Sequence, residues 1–187
     1  MLKDGATYTE LSVEQIAQAA GISRSTFYLY FRDKVDVLLR LSSSLKTESQ
    51  AIAAAWRPTG AGGGVDGLAR TYEGILQHYR KHAFLLTAIH EVAAYDPLVR
   101  EAWSAYQSHF VDNLITLLKE EQEAGGTPAD VDPELAATIM VRGGGQVIAK
   151  QVASSDGADD IDVARELALG YWYGIYRRPA VERRHHD

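Results

Sequence analysis

The sequence predicts an all-α protein, and three features of its 187 residues support this prediction. Apolar side chains recur at intervals of three and four residues through most of the chain, the spacing of an amphipathic helix. Stretches rich in glycine and proline, at 57–64 and 125–131, interrupt this pattern. The sequence contains no convincing run of alternating apolar and polar residues that would indicate a β-strand. We therefore expect a small N-terminal head, residues 1–46, and a larger helical body, residues 47–187.

The first two predicted helices are short and are joined by a tight turn. Ser12 followed by Gln15 matches a capping box at the start of the first helix. Gly21 ends this helix, because glycine accepts the positive φ of a sharp turn. Ser23 then caps a second helix over residues 24–31. A turn of about three or four residues between two such helices is typical of a helix-turn-helix unit.

The remaining chain predicts one helix after another. The expected helices cover residues 34–56, 65–81, 83–95, 97–124, 133–153 and 160–177. Asp33, Asp96 and Asp132 stand at N-cap positions, where a short carboxylate accepts from free backbone amides. Proline follows two of these caps, at Pro97 and Pro133, which favours a helix start.

Three consecutive glycines fall inside the helix that follows Asp132. Each of Gly143, Gly144 and Gly145 is expected to cost up to about 1 kcal/mol relative to alanine in a helix interior. Close approach of another helix, a gap left for a ligand, or a helix kink would each account for them. The sequence leaves these three explanations open.

The head carries the motif from which a family resemblance follows. IAQAAGIS at 16–23 and TFYLYFRDK at 26–34 resemble the DNA-binding signature of the TetR family of bacterial transcriptional regulators. The resemblance implies base or groove contacts from Arg24, Ser25, Thr26 and Tyr28, and phosphate contacts from Ser12, Tyr28, Tyr30 and Lys34. Core packing is the alternative role for the two tyrosines. Residues 1–50 are electrically balanced, so the net charge of −6 lies in the body and non-specific DNA affinity should be modest.

One part of the family pattern is incomplete. The family places a full amphipathic helix before the motif, whereas here only Leu2 to Gly5 resemble the end and C-cap of such a helix. Without that helix, Ile16, Phe27 and Phe31 would lose apolar cover, and each would forfeit about 1.5–3 kcal/mol of burial. This predicts that the chain is truncated or that its start is misassigned, in which case the head as given would be loosely packed or would not bind DNA.

The body resembles the EthR-type subgroup of the same family. The resemblance rests on EAWSAYQ at 101–107, DPELAATIM at 132–140 and YWYGIY at 171–176. It implies a long apolar effector channel and dimerisation through the last two long helices. The ligand contacts it implies are Tyr72, Ile75, Tyr79, Trp103, Tyr106, Phe110, Met140 and Trp172. Met140 and Gly143 occupy positions where the subgroup has ligand-orienting amides, so a more apolar and roomier pocket is expected.

Other chemistries find little support in the sequence. Cysteine is absent, which excludes disulfides and thiolate metal sites. His78 and His82 have a metal-binding spacing, with His90 nearby, but no clear third ligand accompanies them. No nucleophile elbow, phosphate loop or HExxH motif is present, so neither an enzyme, a cofactor nor a metal site is predicted. The absence of a membrane span or secretory signal in the sequence favours a cytoplasmic protein.

These observations predict a ligand-responsive, homodimeric transcriptional regulator of the TetR type. We expect it to be a repressor that binds palindromic, double-stranded operator DNA and is released by a small apolar effector. The alternative is a small-molecule carrier or buffer with a non-functional head, and a metal-dependent enzyme ranks third.

Overall fold

The computed structural model describes residues 7–179, and all regular structure within this range is helical. Its α-helices are α1 Val13–Ala19, α2 Arg24–Tyr30, α3 Lys34–Ala54, α4 Gly64–Lys81, α5 Ala83–Ala93, α6 Pro97–Glu123, α7 Pro133–Thr138, α8 Gly144–Ser154 and α9 Asp160–Tyr171. A π-helical turn, Ile139–Gly143, joins α7 to α8, and a second, Trp172–Tyr176, follows α9. The predicted all-α class is confirmed. Leu2 to Gly5 lie outside the described residues.

The predicted caps start the helices as expected. Ser12 Oγ accepts from the Gln15 amide while Gln15 Oε1 accepts from the Ser12 amide, which completes the capping box of α1. Asp33 accepts from an amide in the first turn of α3. Asp96 and Asp132 each accept from two amides at the starts of α6 and α7. These contacts are local in sequence, which is why the helix starts could be predicted.

The head has a packed interior within the described chain. Phe27 is only 1% exposed, and its ring lies 5.3 Å from that of Phe31 between centroids. The expectation that Phe27 would lose its apolar cover is therefore wrong. Tyr8 and Leu11, which precede α1, are buried and belong to the same core as Leu38 of α3.

The body is built around α3, α4 and α6. Helix α4 packs along α9, α6 packs on α5 and α7, and α3 contacts α4, α5 and α6. Helix α3 has 21 residues, about 30 Å at 1.5 Å per residue, and it continues unbroken past position 46. The boundary at 46 stays a prediction. No helix among residues 7–179 is both long and apolar enough to cross a bilayer.

The three consecutive glycines serve two different purposes. A Cβ at Gly143 or Gly144 would lie 3.3 or 3.4 Å from the Tyr171 hydroxyl, so these two allow α9 to approach closely. A Cβ at Gly145 would instead lie 3.9 Å from the Nε2 atom of Gln107 on α6. The helix expected over 133–153 is broken by the π-helical turn that ends at Gly143. Close approach and a helix irregularity therefore both occur here.

A buried ion pair fixes α4 to the start of α9. Arg80 Nε and Nη2 donate to the Asp160 carboxylate at 2.7 and 2.6 Å, and Arg80 Nη1 donates to the Ser155 carbonyl at 2.6 Å. The Arg80 guanidinium holds the pKa of Asp160 below its usual value, against the opposing effect of burial. Gly157 has φ +98°, and a Cβ there would lie 2.8 Å from Arg80 Nε, so only glycine fits.

Candidate functional site

A cavity of about 600 Å³ lies inside the body, between α3, α4, α5, α6 and α8. Its volume falls within the range of small-molecule sites, about 300–1,000 Å³. The α6 residues in its wall run from Trp103 to Glu120, a distance of about 25 Å along the helix at 1.5 Å per residue. The cavity is therefore suited to an elongated small molecule.

Most of the predicted ligand contacts lie in the wall of this cavity. The lining includes Tyr72, Ile75, Tyr79, Trp103, Tyr106, Phe110 and Met140. Trp172 is not part of the lining: it begins the second π-helical turn and stacks on Tyr176, with ring centroids 5.7 Å apart. The π-helical turn changes the direction of the residues after Tyr171, and helical spacing alone did not reveal it. Contact of any lining residue with a ligand stays a prediction.

An aromatic row from α6 forms one side of the cavity. The Trp103 and Tyr106 rings are 5.0 Å apart between centroids, as are those of Tyr106 and Phe110. His90 of α5 meets the Trp103 ring edge-on at 5.2 Å. Burial lowers the pKa of His90, which favours the neutral imidazole in this wall.

A chain of hydrogen bonds leads from the cavity wall to α3. The Tyr79 and Tyr106 hydroxyl oxygens are 2.7 Å apart, and the Tyr106 hydroxyl donates to Ser49 Oγ at 2.8 Å. Ser49 Oγ in turn donates to the Leu45 carbonyl. Burial raises the pKa of both tyrosines, so the phenols remain protonated. Ser49 is not among the predicted site residues, although a serine on the apolar face shared by Leu45 and Ile52 is the signal that could have revealed it.

The cavity wall also carries amide groups that were not among the predicted contacts, and whether it is more apolar than that of the subgroup stays a prediction. Met140 does line it, without an amide, but Gln50 of α3, Gln107 of α6 and Gln146 of α8 bring amide groups to the wall from other helices. These glutamines were not predicted as site residues, because nothing in their sequence positions distinguishes them from glutamines on the surface of a helix. Arg57, which follows α3, also lines the cavity. The wall therefore contains polar groups from several parts of the chain.

The outer face of α2 presents the predicted DNA contacts. Arg24 and Ser25 are exposed, and Tyr28 and Tyr30 are 48% and 64% exposed, so core packing does not explain the two tyrosines. The Arg24 guanidinium carbon lies 5.8 Å from the Tyr28 ring centroid. Thr26 is half-buried, and its hydroxyl oxygen lies 2.8 Å from Ser23 Oγ. DNA contact by these residues stays a prediction.

The two predicted phosphate contacts at the other helix starts have further roles. Ser12 caps α1, as described above. The Lys34 ammonium donates to the backbone carbonyls of Thr9 and Leu11 at 2.6 and 3.1 Å, and more weakly to that of Tyr8 at 3.3 Å. Lys34 therefore holds the segment before α1 in place. To bind a phosphate, the Lys34 ammonium would have to share or give up bonds to these three carbonyls.

A carboxylate on α5 connects the body to the head. Glu91 accepts from the Tyr8 amide at 3.0 Å and from the Thr9 amide at 2.7 Å. The Thr9 and Tyr95 hydroxyl oxygens lie 3.1 Å apart beside it. Burial raises the pKa of Glu91, but the hydrogen bonds from Thr9 and Tyr8 and the nearby Lys34 ammonium outweigh this effect, so the pKa lies below its usual value. Since His90 on the same helix lines the cavity, α5 contacts both the cavity and the head.

The histidines of α4 have protein partners. His78 Nε2 lies 3.1 Å from the Leu45 carbonyl, and its Nδ1 lies 3.1 Å from the Glu48 carboxylate. His82 Nδ1 lies 2.9 Å from the His78 carbonyl. Within residues 7–179, no group of three or more His, Cys, Asp or Glu side chains is arranged to hold a metal ion.

A two-helix reading unit joined by one long helix to a helical body with an internal cavity is the architecture of a helix-turn-helix transcriptional regulator. Residues 7–41 match the family described as bacterial regulatory proteins, tetR family. Residues 68–174, more than half of the chain, match the family described as transcriptional regulator EthR, C-terminal domain. The chain therefore belongs to the TetR family of bacterial transcriptional regulators, with a body of the EthR type.

Individual proteins agree with this assignment. The HTH-type transcriptional regulator EthR of Mycobacterium tuberculosis H37Rv is 25% identical over 132 residues, which cover 70% of this chain and 61% of the relative. The protein of the same description from Mycolicibacterium smegmatis is 29% identical over 136 residues, covering 68% and 58%. The chain thus spans about three fifths of the length of the curated relatives it matches.

Solved structures share the fold at low sequence identity. The transcriptional regulator FadR from Bacillus subtilis, in complex with stearoyl-CoA, superposes with a TM-score of 0.72 at 19% identity, covering 90% of both chains. GusR of Salmonella enterica superposes with a TM-score of 0.70 at 18% identity, covering 91% of this chain and 88% of GusR. At these identities the likeness establishes the fold alone.

Proposed function

We propose that this protein is a ligand-responsive repressor that binds palindromic operator DNA as a homodimer and is released by a small apolar effector. The observation that carries the proposal is the double role of α3. Lys34 begins this helix four residues after the last residue of α2, Tyr30, while Gln50 and Ala53 farther along the same helix line the cavity. An occupant that shifts α3 within the body would therefore also move the reading helix.

The composition of α2 supports DNA recognition by its outer face. Arg24 and Ser25 offer donors to base edges, and the exposed rings of Tyr28 and Tyr30 combine an apolar surface with a hydroxyl group. Hydroxyl and ammonium groups suit phosphate oxygens, which position a protein on the duplex without reading sequence. Ser12 and Lys34 would act in this second way.

An exposed apolar stripe supports dimerisation through α7, α8 and α9. Leu135, Ile139 and Val147 are 63%, 60% and 44% exposed at spacings of four and eight residues. A Cβ on Gly170 of α9, or on Gly174 of the π-helical turn that follows, would meet nothing within 4 Å, which leaves room for a close helix partner. Two copies would bury both surfaces in a four-helix bundle. Two-fold symmetry would then set the two reading helices about 34–36 Å apart, one turn of DNA.

The cavity supports an elongated and largely apolar effector. Its wall is aromatic along α6 and α4, and its α6 residues span about 25 Å. The similarly folded FadR of Bacillus subtilis was solved in complex with stearoyl-CoA, which carries a long acyl chain. For the present chain, a molecule with one extended apolar part is the class we propose.

The proposed mechanism is a shift between two populations of the dimer. The effector binds more tightly to the arrangement in which the two heads no longer match the operator spacing. A differential affinity of about 1–3 kcal/mol would change operator occupancy by about 5- to 150-fold. Two connections from the cavity to the head are available, one through Ser49 on α3 and one through Glu91 on α5.

DNA binding by the reading helix can be tested with DNA from the promoter region next to the coding sequence. Fluorescence anisotropy at two salt concentrations should show specific binding over scrambled DNA, and it should weaken as salt rises. We expect Arg24→Ala to weaken specific binding about 5- to 150-fold, since a base contact contributes about 1–3 kcal/mol. Arg70→Ala, which alters an exposed arginine of α4 in the body, is the matched control.

The result also separates the proposal from its alternative. Equal binding of specific and scrambled DNA, with apolar molecules still bound by the body, would favour the carrier function. Equal losses in the two arginine variants would show that α2 does not read the DNA.

A further inference from the structure

The hydroxyl groups in the cavity wall have no proton left for a ligand. The Ser49 hydroxyl proton is donated to the Leu45 carbonyl, and the Tyr106 proton is donated to Ser49. The Tyr79 hydroxyl must therefore donate to Tyr106, because a phenol has one proton. These groups can accept from an effector but cannot donate to it. A donor for an effector has to come from elsewhere in the wall.

Within the described chain, three glutamine amides reach the wall, and that of Gln107 is the one that lies beside the open space left by Gly145. Gln107 lies on α6, next to Tyr106 in sequence, and its side chain is half-buried in the lining. Among residues 7–179 no hydrogen-bond partner is found for this amide. An amide offers two donor protons and an acceptor oxygen, and those of Gln107 are accessible from the cavity rather than buried in the protein. A ligand group at this point would complete the amide's hydrogen bonding.

Gly145 leaves space directly beside the amide. The position that a Cβ would take at Gly145 lies 3.9 Å from the Gln107 Nε2 atom, and Gly145 itself lines the cavity. The absence of a side chain here allows a ligand atom to approach the amide between α6 and α8. Either orientation of the amide leaves the polar end of Gln107 in this space.

We propose that the Gln107 amide is a hydrogen-bonding anchor for a neutral carbonyl group, as in an ester, amide or ketone, within an otherwise apolar effector. This inference rests on the effector-binding role of the cavity proposed above. Gln107 lies four residues from Trp103 and thirteen from Glu120, about 6 Å and 20 Å along α6. The carbonyl therefore divides the effector unequally, with a short part toward Trp103 and a long apolar part toward Glu120. The lining residues with formal charge, Arg57 and Glu120, are exposed, which favours a neutral group at Gln107.

Two probes of equal chain length test this assignment: methyl decanoate, which has a carbonyl, and dodecane, which has none. Binding is followed by tryptophan fluorescence, since Trp56 and Trp103 line the cavity, and by the ligand-induced rise in Tm. We expect Gln107→Leu to weaken methyl decanoate binding about tenfold and to leave dodecane binding within about twofold. Gln107→Glu keeps the shape but loses the donor when ionised, and it should lose the ester in the same way.

Gln77→Leu is the matched control, because Gln77 is an exposed glutamine of α4 that lies outside the cavity. It should leave the binding of both probes unchanged. Unaltered ester binding by Gln107→Leu would overturn the assignment and leave the proposed function intact, as would an equal loss of both probes in the folded variant. Failure of the unaltered protein to bind either probe would overturn the assignment together with the effector-binding role of the cavity.

Discussion

Gly144 and Gly145 are neighbours in one helix, yet their surroundings differ in a way that can be measured. A Cβ at Gly145 would make an ordinary contact 3.9 Å from Gln107, whereas one at Gly144 would lie 3.4 Å from the Tyr171 hydroxyl. Gly144 therefore has less room than Gly145, and Tyr171 is further held by donating to the Ile139 carbonyl at 3.4 Å. The packing of α8 on α9 therefore depends on Gly144 more than on Gly145.

We expect Gly145→Ala to raise the free energy of unfolding by up to about 1 kcal/mol, because alanine favours the helix and meets no obstacle. Gly144→Ala gains the same helix propensity but brings its Cβ to the lower limit of ordinary contact with the Tyr171 hydroxyl, so its net stabilisation should be smaller. Urea denaturation of the two variants provides the comparison. Equal stabilisation by both would contradict the close approach of Tyr171.

Arg80 and Asp160 allow a second test at the scale of single residues. The pKa of Asp160 is lowered mainly by its hydrogen bonds with Arg80, so its stabilising effect is fully present above the usual carboxyl pKa of 3.8. The effect is lost as the pH falls through the lower pKa of the folded protein. Asp160→Asn should therefore cost about 2 kcal/mol at pH 7, and this cost should shrink progressively as the pH falls below 3.8.

Thermal unfolding of the parent and Asp160→Asn across this pH range measures the difference directly. Asp162→Asn, which alters an exposed carboxylate in the same first turn of α9, is the control. A difference between parent and Asp160→Asn that stays constant down to pH 3 would show that the charge of Asp160 is not responsible.

At the scale of helices, α5 contacts both the cavity and the head. Its residues Leu86 and His90 line the cavity, while Glu91, and Tyr95 just after the helix, contact the segment before α1. The Glu91 carboxylate accepts from two consecutive amides and so joins this segment to the body. A displacement of α5 by a cavity occupant would reach the head through this contact.

Glu91→Gln should loosen that contact, since hydrogen bonds to a charged acceptor are stronger than those to a neutral one. We expect hydrogen exchange of the Tyr8 and Thr9 amides, followed by NMR, to become about tenfold faster. The exposed Glu101 on α6 provides the control variant Glu101→Gln. Unchanged exchange at Tyr8 and Thr9 would mean that Glu91 does not hold the head.

The helices were predictable to different degrees for physical reasons. Helix starts at Asp33, Asp96 and Asp132 follow from caps that involve only the next few residues, and these predictions are confirmed. Nothing in the helical spacing of the sequence marks the π-helical turn that begins at Trp172, so the direction of this side chain could not be predicted. The partners of Lys34 and the hydrogen-bond chain through Ser49 likewise join residues far apart in sequence.

The whole molecule is expected to work as a dimer. Ile139 lies in the middle of the exposed apolar stripe on α7 and α8, at 60% exposure. Ile139→Arg should place like charges opposite each other at a two-fold interface and shift the protein to a monomer. Light scattering after size-exclusion chromatography distinguishes the two states.

The matched variant for that experiment is Leu98→Arg, since Leu98 is 55% exposed at the start of α6, away from the stripe. It should leave the dimer intact. A dimer that persists in Ile139→Arg, or is lost equally in both variants, would contradict the assignment of the interface to this stripe.

The central claim is that the cavity and the operator are coupled through α3 and α5. Operator affinity, measured by anisotropy with and without saturating methyl decanoate, tests this coupling most directly. The account predicts that the probe weakens operator binding about 5- to 150-fold, in line with a coupling free energy of about 1–3 kcal/mol. An unchanged operator affinity, with the probe shown to occupy the cavity, would contradict it.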